Sequence, residues 1–161
     1  MSTDMRDQSV GDIVKLAGGQ PVTVRRGGNL SAVVDAIGSR ASTNNVYVVD
    51  GDGRLLGVVT LMAMMKQVGN RMRIRPAGLI SWLNYLRDMI ARDKVEDYMV
   101  PVRAVGSGTP VEEALLTIIE SGFTDLPVLD EKGVLVGELN STEILMRARR
   151  ILAEGEGADR T

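Results

Sequence analysis

The chain has no cysteine and no histidine among its 161 residues. Zinc sites are built mainly from these two side chains, so the usual structural and catalytic zinc sites are excluded. Thiol chemistry is excluded too, and the commonest general base of enzymes is missing. The sequence therefore predicts a protein that is not an enzyme and that requires no metal or other cofactor.

The chain is also poor in aromatic residues and has no excess of positive charge. Aromatic residues make up 3% of the chain against 44% hydrophobic residues in total, so the core must be aliphatic. Lysine and arginine number 19 and the acids 21, which gives a formal net charge of −2. Nucleic-acid binding normally needs a basic excess, so we expect no nucleic-acid partner.

Long apolar runs are absent as well. The longest nearly apolar stretch, residues 55–65, is much shorter than the roughly 20 residues that a membrane-spanning helix needs. The first nine residues are polar and lack the apolar core of a signal peptide. We therefore expect no membrane partner and a cytoplasmic location.

The chain repeats itself. Residues 46–60 align with residues 126–140 at a constant offset of 80, with identities at 48, 50, 53, 55 and 57. Two further blocks upstream align in the same order, at offsets of 81 and 85. Three ordered blocks indicate an internal duplication.

Each copy predicts the element order β-α-β-β-α. Strands are predicted near 22–25 and 102–105, then helices capped by Asn29 and Thr109. Apolar runs at 46–49 and 55–59, and at 126–129 and 134–139, surround glycine-containing hairpin turns. Closing helices are expected near 61–69 and 141–151.

The segment between the copies predicts one more helix. Apolar residues over 78–92 recur on one helical face, which is typical of an added amphipathic helix. The predicted organisation is a first repeat over 10–69, a linker with the added helix over 70–94, and a second repeat over 95–151. The fold class is α+β.

These features together resemble a pair of CBS domains. The resemblance lies in the strand and turn LPVLD at 126–130, the VEDYM segment at 95–99, and the duplication itself. It implies two repeats packed sheet to sheet about a pseudo-twofold axis, with clefts where adenosine-type ligands bind. It also implies homodimers that regulate another protein.

The ligand signature of that family, Gly-x-x-Ser/Thr-x-x-Asp, is incomplete in both copies. In the second copy, Glu143 stands where the ribose-binding acid is expected and Asn140 replaces the hydroxyl residue. In the first copy, Thr60 fits but Ala63 replaces the acid. Thr60, Asn140 and Glu143 also suit a helix cap, and both roles can coexist.

The resemblance implies that Val22 and Thr23 of the opposite copy line the Glu143 cleft together with residues 123–125, and that Asn45 lines the Thr60 cleft. Phe123 could stack on adenine or lie in the core, and Asp125 beside Glu143 makes the second cleft acidic, which disfavours a polyphosphate unless Mg²⁺ offsets the charge. The candidate ligand-binding residues are Glu143, Asn140, Thr142, Phe123, Thr124, Asp125, Val22, Thr23, Thr60 and Asn45.

Two functional interpretations remain open. In the first, the chain senses AMP, ADP, ATP or S-adenosylmethionine and acts as a homodimer on a separate, unidentified target protein. In the second, it binds no ligand and serves as a dimerisation or docking scaffold. The thermal response of the protein to these ligands separates the two.

Overall fold

The described part of the chain folds into six α-helices and six short strands that form two three-stranded sheets. The structure, a computed structural model, describes residues 8–17, 20–39, 44–74 and 78–158. The predicted α+β class is confirmed. The described residues divide into two compact units, which we call the first unit (Val22–Pro101) and the second unit (within Met1–Pro21 and Val102–Thr161).

The elements follow the chain in a repeated order. The second unit holds α1 (Val10–Ala17), β4 (Val105–Gly106), α5 (Val111–Ser121), β5 (Asp125–Leu129), β6 (Leu135–Asn140) and α6 (Ser141–Ala158). The first unit holds β1 (Thr23–Arg25), α2 (Leu30–Ser39), β2 (Asn45–Val49), β3 (Leu55–Thr60), α3 (Leu61–Ile74), α4 (Leu79–Arg92) and a 3₁₀ turn (Val95–Asp97).

The two sheets have the same topology. The middle strand pairs in parallel with the first strand and antiparallel with the third, in the orders β1-β2-β3 and β4-β5-β6. The predicted hairpin turns are confirmed. In each turn an aspartate, Asp50 or Asp130, accepts two backbone N–H bonds with its carboxylate. Gly53 and Gly133 follow with φ near +80°, a conformation that glycine adopts without strain.

Each unit has its own aliphatic core. In the first unit, helices α2, α3 and α4 and the sheet contribute to a cluster that includes Leu30, Val48 and Met89, with α4 packed against α2. In the second unit, α1, α5 and α6 surround a cluster that includes Val10, Leu126 and Ile144. Burial of these aliphatic side chains is the main stabilising term for each unit.

The compact units and the repeats divide the chain differently. Helix α1, from the start of the first predicted repeat, packs in the second unit, where the Gly11 N–H donates to the Ser107 carbonyl at 2.7 Å. The 95–101 segment, from the start of the second repeat, packs in the first unit, where Val58 and Val100 exchange two backbone hydrogen bonds. The start of each repeat therefore belongs to the compact unit of the other.

Glycines in the third strands, β3 and β6, allow the 95–101 segment and helix α1 to approach them closely. A Cβ at Gly57 would lie 2.5 Å from Met99 Cγ and 2.8 Å from the Val100 carbonyl oxygen. A Cβ at the equivalent Gly137 would lie 2.6 Å from Val14 Cγ1. A side chain at either position would therefore require the neighbouring segment to shift.

Several local predictions were wrong. Helix α1 was not anticipated, and α3 and α6 continue well past residues 69 and 151. Thr109 does not cap α5, because Pro110 holds the N-cap position and the Thr109 hydroxyl accepts the Gly106 N–H instead. The Asn29 side chain donates to the Ala91 carbonyl and accepts from Lys94, so it fastens the end of α4 to the start of α2.

Strand β4 is shorter than predicted for a reason that the first unit makes clear. There the Tyr47 N–H donates to the Val22 carbonyl at 2.8 Å and extends the pairing of β1. The equivalent residue of the second unit is Pro127, which has no N–H to donate. The strand predicted over 102–105 accordingly begins only at Val105.

The predicted linker helix is confirmed as α4. Its inner face, with Trp82 and Tyr85 stacked at 5.9 Å, packs against the first-unit core. A polar cluster secures its end: Arg71 Nη1 donates to Asp93 Oδ2 at 2.7 Å, and the Tyr98 hydroxyl donates to the same oxygen at 2.6 Å. Burial acts to raise the pKa of Asp93, but the bonds from Tyr98 and Arg71 outweigh it and hold that pKa below its usual range.

Candidate functional site

The predicted site residues lie at the same end of each sheet. Because the first two strands are parallel and the third is antiparallel, the start of the middle strand lies beside the end of the third strand. Asn45 pairs with Thr60 in the first unit, and Asp125 pairs with Asn140 in the second. A helix begins directly after each third strand, so its N-terminus lies at the same end.

In the second unit these positions form a hydrogen-bonded acidic group. The Asn140 side-chain amide donates to Asp125 Oδ1. The Thr124 hydroxyl donates to Asp125 Oδ2 at 3.1 Å, and the Thr124 carbonyl accepts the Ser141 N–H at 2.9 Å. The Asp125 carboxylate is thereby fixed in place at a buried position, against the first turn of α6.

Asn140 and Glu143 cap α6 reciprocally. The Asn140 Oδ1 atom accepts the Thr142 N–H at 2.7 Å, and Glu143 Oε2 accepts the Asn140 N–H at 3.3 Å. This confirms the predicted capping role of both residues. The cap also holds the Glu143 carboxyl at the helix N-terminus, near Asp125.

The setting of Glu143 changes its acidity. Partial burial raises the pKa of Glu143, the N–H bond from Asn140 acts to lower it, and the nearby Asp125 charge adds to the increase, so the pKa lies above its usual value. Charge at this position is therefore less favourable than in water. A ligand that donates hydrogen bonds or brings positive charge would relieve this.

The first unit has the same geometry without the acids. The Thr60 hydroxyl accepts the Ala63 N–H at 2.9 Å, which confirms the predicted cap of α3. Asn45 is buried at the start of β2 in place of Asp125, and Ala63 carries no acceptor. This end of the first unit is therefore neutral.

Val22 and Thr23 lie at the start of β1, beside the middle strand that carries Asn45. The structure thus groups these two residues with Asn45 and Thr60, within the first unit. Their predicted role alongside Glu143 stays a prediction. Phe123 is half-buried and lies outside the core cluster of the second unit, so the alternative that it is a core residue is not supported.

Sequence reasoning missed the bond between Asn140 and Asp125. The signal was present in the alignment of the copies, because Asn45 and Thr60 become Asp125 and Asn140 at the same offset of 80. An acid facing an amide across paired strands predicts this contact once the strand register is known.

Two classes of site are not found in the described part of the chain. Across residues 8–17, 20–39, 44–74 and 78–158 no group of three or more acidic side chains could hold a metal ion. Over the same ranges, no helix combines the length and the apolar character required to cross a membrane.

Comparison with known proteins assigns the fold. No curated protein matches the chain. Among solved structures, a CBS domain-containing protein from Thermotoga maritima is 30% identical over 86% of this chain and 92% of its own, with a TM-score of 0.66. The cytosolic domain of the Mg²⁺ channel MgtE, solved with ATP, is 29% identical over 78% of this chain and 44% of its own, with a TM-score of 0.58.

A third solved structure shares the fold at lower identity. The CBS domain pair of protein MJ0100, in complex with 5′-methylthioadenosine and S-adenosyl-L-methionine, is 18% identical over 86% of this chain and 98% of its own, with a TM-score of 0.64. The family model for the CBS domain matches residues 9–70 and 95–150. With its two matched segments and duplicated sheets, the chain belongs to the CBS domain family.

Proposed function

We propose that this chain is a regulatory CBS pair that binds an adenosine-type ligand at the α6 end of the second unit. The observation that carries the proposal is the pair of carboxyl groups of Asp125 and Glu143, fixed at a helix N-terminus by Asn140. Carboxylate oxygens accept hydrogen bonds, so this pair suits the two hydroxyl groups of a ribose, which can donate them. Phe123, Thr124 and Thr142 surround the pair in sequence and complete the proposed site.

The charge at this end selects among adenosine ligands. The Thr142 N–H is already bonded to Asn140, so the helix start offers fewer free donors to a phosphate. The two acids repel an anion further. We therefore expect S-adenosylmethionine or a neutral adenosine nucleoside to bind best, AMP less well, and ADP or ATP only with Mg²⁺ to offset the charge.

The related structures support the ligand class. MJ0100 was solved with S-adenosyl-L-methionine and 5′-methylthioadenosine, and the MgtE domain with ATP. All three ligands contain adenosine. The corresponding end of the first unit, with Val22, Thr23, Asn45 and Thr60, lacks an acid and is the weaker candidate.

A ligand-free scaffold is the second candidate. It is favoured by the internal bonds of the acidic group, since Glu143 already accepts the Asn140 N–H and Asp125 accepts from both Thr124 and Asn140. In that case the acids would serve the cap and the sheet alone.

Calorimetric titration and thermal shift with adenosine, AMP, ATP with and without Mg²⁺, and S-adenosylmethionine test the proposal. The wild type is compared with Glu143→Ala, and with Glu131→Ala, an exposed acid in the β5–β6 turn, as the matched control. Loss of charge-assisted hydrogen bonds should weaken binding by about 1.5–3 kcal/mol. Glu131→Ala should bind like the wild type.

The folding effect of Glu143→Ala has to be measured separately. Loss of the cap alone should lower the free energy of unfolding by about 0.5–2 kcal/mol. Unchanged affinity in a destabilised Glu143→Ala protein would restrict Glu143 to capping. No thermal shift with any of the ligands would favour the scaffold.

The remaining parts of the proposal concern the role, the assembly, the target and the location of the protein. We propose a regulatory rather than an enzymatic role, a homodimer, action on a separate target protein, and a cytoplasmic location. The CBS domain family and the proposed ligand class support this role. Pull-down of the target with and without ligand tests whether binding controls the interaction.

A further inference from the structure

The outer face of helix α4 is apolar and exposed. Leu79, Ile80 and Leu83 lie three to four residues apart or side by side, on one side of the helix, and are 72%, 77% and 56% exposed. The opposite side of α4 packs against the first-unit core with Trp82 and Tyr85. The three outer side chains therefore protrude from the first unit without contributing to its core. We call them the α4 face.

Positive charge is concentrated on α4 and on the helix before it. Of the 19 basic and 21 acidic residues of the chain, helices α3 and α4 hold five and one. Their net charge is therefore +4, in a protein whose total is −2. The single acid is Asp88, and the basic residues are Lys66, Arg71, Arg73, Arg87 and Arg92. A local basic region of this kind in an acidic protein suits an anionic partner.

Arg87 lies next to the α4 face. It follows Leu83 by four residues, so it continues the same side of the helix. Its side chain is 72% exposed and contacts Asp88 at 3.4 Å, a surface pair of the kind that contributes little. The Arg87 guanidinium can therefore turn to an anion beyond the surface while its carbon chain covers part of the apolar face.

The end of α3 and the start of α4 add to the positive potential. Arg71 Nη1 donates to the Tyr85 hydroxyl at 3.2 Å, which places the last turn of α3, with the exposed Arg73, beside α4. At the start of α4, Gly78 makes no side-chain cap bond and the first turn contains no acid. The positive end of the helix dipole is therefore not neutralised by a side chain there.

The shape of the α4 face favours a lipid surface over an acidic peptide. A peptide helix binds in a groove, whose lining side chains are partly enclosed. The side chains of the α4 face are instead mostly exposed and protrude. Protruding aliphatic residues flanked by arginine, on a helix whose long side faces outward, are the pattern of helices that lie in a membrane–water interface.

From these observations we infer that helix α4 binds the surface of an anionic phospholipid membrane. The α4 face enters the lipid boundary, and Arg73 and Arg87 contact the headgroup phosphates. Such a helix lies in the plane of the membrane, so it needs no spanning segment, and none occurs in the described ranges. The inference replaces the expectation of no membrane partner, which rested on the missing apolar run alone.

Co-sedimentation of the full chain with lipid vesicles tests this inference. Vesicles of phosphatidylcholine containing about 30% phosphatidylglycerol are compared with vesicles of phosphatidylcholine alone. The wild type should bind the anionic vesicles about ten-fold more tightly or better, because each arginine near the surface is attracted to it. Added salt should weaken this binding, because it screens the charges.

An uncharged substitution tests insertion of the α4 face. Ile80→Gln should weaken binding to the anionic vesicles by about five-fold or more, because the side chain loses its apolar contact with lipid. Ile119→Gln makes the same change at 68% exposure on the acidic helix α5 of the second unit, and should bind like the wild type. Leu83→Gln is a second variant of the face, and circular dichroism confirms that each variant is folded.

Charge reversal tests the arginine contact. Arg87→Glu should weaken binding to the anionic vesicles by about ten-fold or more. Arg149→Glu makes the same change of charge on α6 of the second unit, and should have a much smaller effect. A contact set by net charge alone would respond equally to both reversals.

Three results would overturn the inference. A wild type that does not bind the anionic vesicles at low salt would leave an acidic protein segment as the partner of α4. Binding that Ile80→Gln and Arg87→Glu weaken no more than their controls do would move the contact away from α4. A lower mass of Ile80→Gln in sedimentation velocity without vesicles would show that the face contacts a second copy instead. These measurements contain no adenosine ligand, so failure of the proposed ligand binding would leave them unaffected.

Discussion

The two units share one plan and differ in where they carry charge. At the functional end, the second unit has Asp125, Asn140 and Glu143 where the first has Asn45, Thr60 and Ala63. Around the helices the first unit instead carries an added polar cluster, in which Arg71 and Tyr98 bind Asp93. The duplicated scaffold has therefore been divided: one copy holds the acidic group at the sheet end, and the other holds the inserted helix.

The largest expected effect tests the close approach at the third strands. Gly57→Ala would place a methyl group 2.8 Å from the Val100 backbone oxygen, and should lower the free energy of unfolding by about 1–3 kcal/mol. Gly137→Ala clashes only with the Val14 side chain, at 2.6 Å, and should cost less because a side chain can shift more easily than backbone. Urea denaturation of both variants measures the difference, with Gly38→Ala, which meets no atom within 4 Å, as the control. Equal losses would show that the two approaches are equally rigid.

The next effect concerns the polar cluster of the first unit. Asp93→Ala leaves Arg71 and Tyr98 without their shared acceptor, and should lower the free energy of unfolding by about 1–3 kcal/mol. The lowered pKa of Asp93 means that this stability is present above the unfolded value of about 3.9 and is lost as the pH falls through the folded value.

The control for Asp93 is Asp88→Ala, since Asp88 contacts Arg87 at 3.4 Å on the exposed side of α4. An exposed pair of this kind contributes about 0–1 kcal/mol. Denaturation at neutral and at acidic pH measures both variants. The cluster would be unimportant if Asp93→Ala and Asp88→Ala had equal stability at neutral pH.

A smaller effect is expected from introducing an acid into the first unit at Ala63, the position that matches Glu143. Ala63→Asp places a carboxylate in the first turn of α3, where the Thr60 hydroxyl already accepts the residue 63 N–H. The helix dipole should stabilise it by about 0.3–1 kcal/mol. Titration with adenosine should show one more site per chain than in the wild type. Normal folding without added binding would strengthen the scaffold interpretation.

The smallest expected effect concerns the raised pKa of Glu143 in the second unit. The raised pKa of Glu143 means that its protonated form is favoured in the folded protein. That stability is fully present below the unfolded value of about 4.3 and is lost as the pH rises through the folded value. Relative to Glu143→Gln, the wild type should therefore lose melting temperature as the pH rises from about 4.3 through the folded pKa of Glu143. A constant difference across this range would contradict the raised pKa.

Sequence reasoning reached the repeated strands because glycine turns and aliphatic runs are local signals. The hairpins at Asp50 and Asp130, the helix over 79–92 and the caps at Thr60 and Asn140 are all set by residues close in sequence. The place of helix α1 in the second unit depends on distant partners such as Ser107, which local pattern does not reveal.

The same distinction holds for the candidate site. Asn140 and Glu143 were predicted as a cap because they lie three residues apart, and the structure confirms it. The amide of Asn140 on Asp125 depends on strand register, which local pattern does not reveal. The binding role of these residues stays a prediction.

Pro127 gives the second unit an asymmetric sheet. In the first unit the start of β1 is secured through the Tyr47 N–H, and the proline at the equivalent position removes that bond. Less free energy is therefore needed to detach residues 102–104 from their sheet than residues 22 and 23 from theirs. In a hydrogen-exchange experiment, we expect amides at the entrance to β4 to exchange sooner than those at the entrance to β1. The second unit would then begin to unfold locally where its chain enters the sheet.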